Sequence, residues 1–189
     1  MSILFLIVGN SGSGKDSLIK EVKKLYPNNL KELKIPIRVI TRPPSPETED
    51  FESIDEKSFL KLKNNGVFAL SWHIYGLYYG IKKEIDNWLS NGHPVLINVS
   101  RKIIPLARKR YPNVKVIFVK VPFEITKKRL EERGRENKKL MKSRLKRARK
   151  NQDLPTADFV IDNSGDLEQT AKRLLNYMLS EINKNETKN

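Results

Sequence analysis

A glycine-rich loop near the N-terminus constrains the fold of this chain more than any other feature of its sequence. Residues 9–14 contain three glycines and are followed by Lys15. The continuous apolar run at 3–8 that precedes the loop is typical of a strand buried on both faces of a parallel sheet. An amphipathic helical pattern follows over 17–26. A glycine loop between a buried strand and a helix, followed by further strand and helix patterns in alternation, indicates a doubly wound α/β domain.

The loop also has a specific chemical capacity, because its spacing matches the P-loop pattern. Its glycines let the backbone curl so that successive N–H groups point inward, and the following helix adds its dipole. Lys15 would lie along the β- and γ-phosphates of a nucleotide as a point charge. The sequence therefore predicts an ATP site formed by Gly9, Asn10, Ser11, Gly12, Ser13, Gly14, Lys15, Asp16 and Ser17.

Asp16 departs from that pattern, which has a serine or threonine after the lysine to bind Mg²⁺ through its hydroxyl. A carboxylate oxygen is also a suitable Mg²⁺ ligand, directly or through water. We therefore expect Mg²⁺ to accompany ATP, with Asp16 as its protein ligand.

The rest of the chain alternates between strand and helix patterns. Without an internal repeat or linker, it is expected to form one domain over 1–189, with a polar, frayed tail at 183–189. Further strands are expected at 37–41, 67–72, 95–99, 114–121 and 159–161. Further helices are expected at 55–64, 81–89, 102–110 and 122–133, then, after an interruption at Gly134, to about 150, and at 167–182.

Composition limits the classes of protein that remain. There are no cysteines, which excludes disulfides and thiolate metal sites, and the longest apolar run is too short to cross a bilayer. The expected location is the cytoplasm. The net charge of +15 suits nucleic acid, an anionic membrane surface or polyphosphates, and the basic excess is concentrated at 127–150. Because no stacking aromatic motif accompanies it, nucleic acid is not the expected partner.

Several segments resemble the guanylate-kinase-like branch of the nucleoside monophosphate kinases, and the resemblance covers nearly the whole chain. They are Thr41-Arg42-Pro43, the Gly-Leu-Tyr-Tyr-Gly run at 76–80 and the arginine-rich run at 129–135. The resemblance implies an acceptor-binding region at about 35–90 and a lid at about 130–150. In that family the first two segments hold the phosphate of the acceptor, and the lid arginines close over the triphosphate.

Three positions depart from that branch. Leu70 stands where guanylate kinases have a glutamate that reads the guanine edge, Ser45 where they have a second arginine, and Ser100 where they have an aspartate. An unpaired base edge costs about 1–3 kcal/mol per polar group. Guanine specificity is therefore expected to be lost.

A narrower resemblance accounts for those departures. The blocks at 11–18, 40–43, 69–73, 76–80, 84–89, 98–101 and 133–137 are similar to the ribose 1,5-bisphosphate phosphokinase family. The resemblance implies transfer of the ATP γ-phosphoryl group to the 1-phosphate of that sugar, giving 5-phosphoribosyl 1-diphosphate. The acceptor residues would be Arg38, Arg42, Ser71, Tyr78, Tyr79 and Arg101, and the catalytic cations Lys15, Arg133, Arg135 and Arg144.

This chemistry needs no general base, because an attacking phosphate oxygen is already anionic near neutral pH. Catalysis would instead depend on alignment and on cations that neutralise the transferring group. Three alternatives remain: a true guanylate kinase, a basic nucleic-acid-binding protein with a vestigial P-loop, and a catalytically silent scaffold.

Overall fold

The computed structural model describes residues 2–43, 51–133 and 138–187. The chain forms two compact units. The first contains Met1–Leu4 and Asn28–Val114, and the second contains Phe5–Pro27 and Lys115–Asn189. The segments at 1–4 and 5–27 show that the chain enters both units before it completes either.

Eight strands and seven helices lie within the described ranges. The strands are β1 Leu4–Gly9, β2 Arg38–Ile40, β3 Phe51–Ser53, β4 Phe68–Ile74, β5 Leu77–Lys82, β6 Val95–Asn98, β7 Val114–Lys120 and β8 Phe159–Asp162. The helices are α1 Lys15–Leu25, α2 Glu56–Asn64, α3 Glu84–Ser90, α4 Ile104–Arg110, α5 Phe123–Arg133, α6 Lys138–Lys150 and α7 Leu167–Glu186. A short 3-10 turn, Arg101–Ile103, precedes α4.

The second unit is built on strands β1, β7 and β8, which follow one another in that order in a sheet. Strands β7 and β8 are parallel, with Ile117 opposite Phe159. The apolar run of β1 is completely buried, as expected for a strand covered on both faces. Helices α1 and α7 pack against each other, and Leu18, Val22 and Leu174 contribute fully buried side chains to the core.

The first unit contains a mixed four-stranded sheet in the order β3-β2-β5-β4. Strand β5 runs antiparallel to both β2 and β4, and a two-residue turn at Tyr75 and Gly76 joins β4 to β5. Both turn residues have positive φ, 55° and 76°, as the common type I′ hairpin turn requires. A Cβ on Gly80 in β5 would lie 2.5 Å from the ring of Phe68, so only glycine fits there.

Strand β6 follows the first sheet in the chain and belongs to the same unit. Its first residue, Val95, donates its N–H to the carbonyl of Ile3 at 3.0 Å. Lys34 forms a parallel bridge with Val95. Residues from three separate parts of the chain therefore meet at the start of β6.

The sequence pattern located most elements but misplaced several boundaries. Strands β3 and β5 were not expected, because β3 has three residues and β5 lies in a segment interpreted through its glycines. Helix α1 begins at Lys15, two residues earlier than expected, because Gly14 in a left-handed conformation is its N-cap. Helix α3 begins at Glu84, since Ile81 still belongs to β5.

The expectation of a frayed tail from 183 is wrong for its first residues. Helix α7 continues to Glu186, because Asn183 and its neighbours extend the same helical hydrogen-bond pattern. Within the part of the chain that the structure describes, no helix combines the length and apolar character needed to cross a membrane.

Candidate active site

The glycine-rich loop connects the end of β1 at Gly9 to the start of α1 at Lys15. The ammonium group of Lys15 donates to the carbonyls of Gly9 at 3.1 Å and Asn10 at 2.9 Å. Gly14, the N-cap of α1, has a left-handed φ of 80° and no side-chain oxygen to offer the N–H groups of the first turn. A helix N-terminus with such N–H groups attracts anions. The loop therefore has the charge and donors that a phosphate cradle requires.

Asn163 supports this loop, although the sequence pattern did not single it out. Its side-chain amide donates a 2.8 Å hydrogen bond to the carbonyl of Ser13, and the residue is 3% exposed. Arg129 in turn donates to the backbone carbonyl of Asn163 at 3.1 Å. The available signal was the polar residue directly after β8, because functional residues of α/β sheets cluster at the carboxyl ends of strands.

Helix α6 contacts the loop through the first two residues after Gly9. A guanidinium N–H of Arg144 donates to the hydroxyl of Ser11 at 2.7 Å. The side chain of Asn10 donates to the carbonyls of Ala148 at 3.2 Å and Asn151 at 3.0 Å. The structure thus brings the predicted catalytic residue Arg144 to the loop that carries Lys15.

The other two predicted lid arginines cannot be placed in the same detail. Arg133 is the last residue of α5. Arg135 and Ser45 lie outside the described residues. The roles predicted for these residues stay predictions.

Asp16 lies in the first turn of α1, next to Lys15. Across residues 2–43, 51–133 and 138–187, no three histidine or carboxylate side chains come together as a metal cage. Mg²⁺ commonly binds through one or two carboxylates together with substrate phosphates. A single carboxylate at the phosphate cradle fits an ion of that kind.

Arg42 has the clearest features of an anion site in the first unit. Its Nε and Nη2 atoms are shielded from solvent and have no hydrogen-bond acceptor among the described residues. The guanidinium lies 4.6 Å from the ring centroid of Phe51, and the hydroxyl of Ser53 donates to the backbone carbonyl of Arg42 at 2.7 Å. Because shielded guanidinium donors need acceptors, this residue is suited to an anionic ligand.

Thr41 holds the neighbouring turn to strand β5. Its hydroxyl accepts a 2.9 Å hydrogen bond from the N–H of Tyr78, and its own N–H donates to the Tyr78 carbonyl at 3.1 Å. Two of the three segments that resemble the guanylate kinases, at 41–43 and 76–80, are therefore hydrogen-bonded directly to each other.

The register of the sheet divides the predicted acceptor residues between two faces. Ile40 is opposite Tyr79 and Val39 opposite Gly80, so Arg38 and Tyr79 share one face because side chains alternate along a strand. Ser71, opposite Gly80, shares the other face with Tyr78. The ring of Tyr78 packs 5.4 Å from that of Phe59 in the core, whereas Tyr79 stacks on Trp72 at 5.3 Å. The structure therefore groups Arg38 with Tyr79 on one face and Ser71 with Tyr78 on the opposite face.

Leu70 and Arg101 complete the acceptor positions. The side chain of Leu70 is 1% exposed and apolar, so it offers no acceptor for the polar edge of a base. Arg101 is half-buried and begins the 3-10 turn that packs against β4. Ser100 caps that turn by accepting the N–H of Lys102 at 3.4 Å.

Comparison with known proteins identifies the family. The family model described as guanylate kinase matches residues 1–181. A ribose 1,5-bisphosphate phosphokinase of Pseudomonas paraeruginosa is 39% identical over 176 residues, which cover 93% of this chain and 94% of the relative. The enzyme of that name from Pseudomonas fluorescens is 40% identical, with 91% and 92% of the two chains covered.

The chain belongs to the ribose 1,5-bisphosphate phosphokinase branch of the guanylate kinase family. Membership of this family makes it an ATP-dependent kinase and confirms the resemblance seen in the sequence.

Solved structures show the same fold at low sequence identity. The guanylate kinase of Anaplasma phagocytophilum has a TM-score of 0.67 and 20% identity, covering 96% of this chain and 86% of that chain. A gluconokinase of Sinorhizobium meliloti has a TM-score of 0.54 and 14% identity, covering 98% and 97% of the two chains. These matches confirm the predicted α/β kinase fold.

Proposed function

We propose that this protein phosphorylates ribose 1,5-bisphosphate with ATP and forms 5-phosphoribosyl 1-diphosphate and ADP. The observation that carries the proposal is its similarity, over 93% of the chain, to a relative named for that substrate. The buried, apolar Leu70 supports the choice of a sugar acceptor, because it cannot pair with a guanine edge.

The donor half of the reaction would take place at the phosphate cradle. An oxygen of the sugar 1-phosphate attacks the γ-phosphorus, and the bond from that phosphorus to the β–γ bridging oxygen breaks as ADP leaves. Lys15 and Arg144 would neutralise charge on the transferring group, together with the N–H groups at the start of α1. Arg133 and Arg135 would add further cations from the lid.

Mg²⁺ would be held by Asp16 and the nucleotide. Bound there, it supplies positive charge that stabilises the developing negative charge on the phosphate oxygens. The carboxylate of Asp16 would orient the nucleotide complex at the first turn of α1.

The acceptor would bind through residues of the first unit. Arg42 is the principal candidate for a phosphate ligand, because its shielded N–H groups need acceptors. Arg38 and Tyr79 share a face of the sheet and are proposed to contact the same substrate, with Arg101 as a further cation. Because one unit carries the donor cradle and the other carries the acceptor residues, we propose that the chain acts as one kinase domain. We also propose that the protein acts in the cytoplasm.

The test is a direct comparison of acceptors. The purified protein is incubated with ATP, Mg²⁺ and either ribose 1,5-bisphosphate or GMP, and ADP and the phosphorylated product are measured together. We expect kcat/KM for the sugar to exceed that for GMP by at least 100-fold. Turnover of GMP without turnover of the sugar would show instead that the protein is a guanylate kinase.

A further inference from the structure

Asn10 connects the phosphate cradle to the C-terminal end of helix α6. The last four carbonyls of an α-helix have no partner within the helix. In α6, which ends at Lys150, one of these is the carbonyl of Ala148. It accepts a hydrogen bond from the Asn10 side chain, as does the carbonyl of Asn151 just beyond the helix. A P-loop residue therefore caps the C-terminal end of α6, a helix that begins 128 positions later in the chain.

Arg144, in the middle of α6, also contacts the loop. Arg144 precedes Ala148 by four residues, and residues with this spacing lie on the same side of a helix. While Asn10 binds the Ala148 carbonyl, the Arg144 guanidinium reaches the Ser11 hydroxyl at 2.7 Å. The position of the helix end and the position of the guanidinium are thus set by neighbouring residues of one loop.

The charge of α6 opposes its approach to the loop. Its sequence, KKLMKSRLKRARK, has eight cations and no acidic residue. These cations repel the ammonium group of Lys15 at the end of the glycine-rich loop. Phosphates bound between the two sets of cations would offset this repulsion. The amide of Asn10 is neutral and donates to carbonyls at the negative end of the helix dipole. It can therefore hold the helix at the cradle without adding charge.

We propose that Asn10 is a positioning residue that holds α6 so that Arg144 meets the transferring phosphoryl group. This inference rests on the proposed function only in assigning Arg144 to that group. Asn10 itself acts through α6, and its amide is not required to touch the substrate.

A double-mutant cycle tests this coupling. Asn10→Ala, Arg144→Ala and the double variant are compared with the wild type, using whichever acceptor the wild type turns over, the sugar bisphosphate or GMP. We expect Asn10→Ala to lower kcat about tenfold with less than a twofold change in the KM of the acceptor. In the Arg144→Ala background the same change should alter kcat by less than twofold. Independent, multiplicative effects would overturn the proposal.

Gln152 provides a matched control. Its side chain donates to the same Ala148 carbonyl at 2.6 Å but belongs to the segment after α6 and not to the P-loop. Gln152→Ala should keep kcat within twofold of the wild type. A loss equal to that of Asn10→Ala would show that the Ala148 carbonyl needs any partner and would contradict a specific role for Asn10.

Two conservative variants separate hydrogen bonding from packing. Asn10→Asp keeps the shape of the side chain but removes its N–H donors. The variant should therefore lose as much kcat as Asn10→Ala. Asn10→Gln retains the donors and should recover at least half of the lost activity on a logarithmic scale. The opposite order would overturn the proposal.

Hydrogen exchange gives a readout that does not depend on any acceptor. In Asn10→Ala the backbone amides of 144–151 should exchange at least tenfold faster than in the wild type, while those of α7 keep their rates. Unchanged exchange at 144–151 would contradict the proposal even if the sugar proves not to be the substrate. Failure of the proposed function therefore remains distinguishable from failure of the Asn10 inference.

Discussion

Asn163 donates a 2.8 Å hydrogen bond to the carbonyl of Ser13, from which it is separated by 150 residues of sequence. The bond holds the backbone of the phosphate cradle at Ser13 to the residue directly after strand β8, which ends at Asp162. It also leaves no room for a side chain at Gly14, since a Cβ there would lie 2.5 Å from the Asn163 amide nitrogen.

Gly14→Ala is therefore predicted to destabilise the protein and to abolish turnover. The new Cβ must displace the side chain of Asn163. The backbone at position 14 must also keep a φ of 80°, which alanine disfavours. We expect a loss of about 2–5 kcal/mol in the free energy of unfolding, measured by urea denaturation. Gly92→Ala is the control, because Gly92 has a φ of 85° and the nearest neighbour of its new Cβ, the Cε atom of Lys31, would lie 4.0 Å away. It should lose about 1–2 kcal/mol, and an equal loss in both variants would contradict the steric argument.

Lys15→Ala is predicted to lower kcat by at least about 100-fold, because the ammonium group neutralises charge that develops in the transition state. The fold should persist, as judged by circular dichroism, since Lys15 bonds to carbonyls of a surface loop. Lys20→Ala, an exposed lysine on the same helix, should retain the activity of the wild type. Near-normal turnover of Lys15→Ala would remove the lysine from the mechanism.

Arg42→Gln is predicted to raise the KM of the sugar at least about tenfold. The substitution removes the shielded guanidinium N–H donors that would bind a phosphate of the sugar. The KM of ATP should change less than twofold. Initial rates with each substrate varied in turn measure both constants. Arg108→Gln, which changes an exposed arginine of the same unit, is the control. Equal changes in both KM values would show that Arg42 acts on the fold and not on the acceptor.

Leu70→Glu is predicted to impair the sugar kinase without producing GMP kinase activity. Leu70 is 1% exposed, so the new carboxylate would be buried among apolar side chains. We expect a loss of at least about 2 kcal/mol in the free energy of unfolding. Leu70→Met preserves volume and should remain within about 1.5 kcal/mol of the wild type. Efficient GMP turnover by Leu70→Glu would refute this interpretation of Leu70.

Glu181 predicts a pH dependence of stability. Hydrogen bonds from Lys115 and Lys184 hold the pKa of Glu181 below its ordinary value of 4.5. The carboxylate of Glu181 therefore binds a proton less readily in the folded protein than in the unfolded chain. Its contribution to the free energy of unfolding is complete above pH 4.5 and is lost as the pH falls through the folded pKa. Glu181→Gln should therefore cost about 1 kcal/mol at pH 7, and its stability should converge with that of the wild type under acid conditions. Urea denaturation at a series of pH values measures both curves, and a constant difference would contradict the assignment.

The sequence separation of the contacts explains why the cradle could be predicted and its supports could not. Strand β1, the glycine loop and α1 are consecutive in the chain, so their apolar run and glycine spacing determine them locally. Asn163 and α6 reach the loop from positions more than 120 residues away, and no local pattern encodes such a contact. The acceptor residues show the same limit. Tyr78 and Tyr79 are adjacent in the sequence, and the pairing of β5 with β2 decides which of the two shares a face with Arg38.

The sequence by itself determined an α/β kinase with a phosphate cradle at 9–16, because glycine spacing, a buried strand and a lysine are properties of one short segment. Through the family resemblance it also predicted that Leu70 replaces the glutamate with which guanylate kinases read the guanine edge. The tertiary structure decided that Asn163 supports the cradle, that Asn10 caps α6 and that Arg144 lies at Ser11. These contacts depend on the packing of distant elements, and the residues that make them become neighbours only when the chain folds.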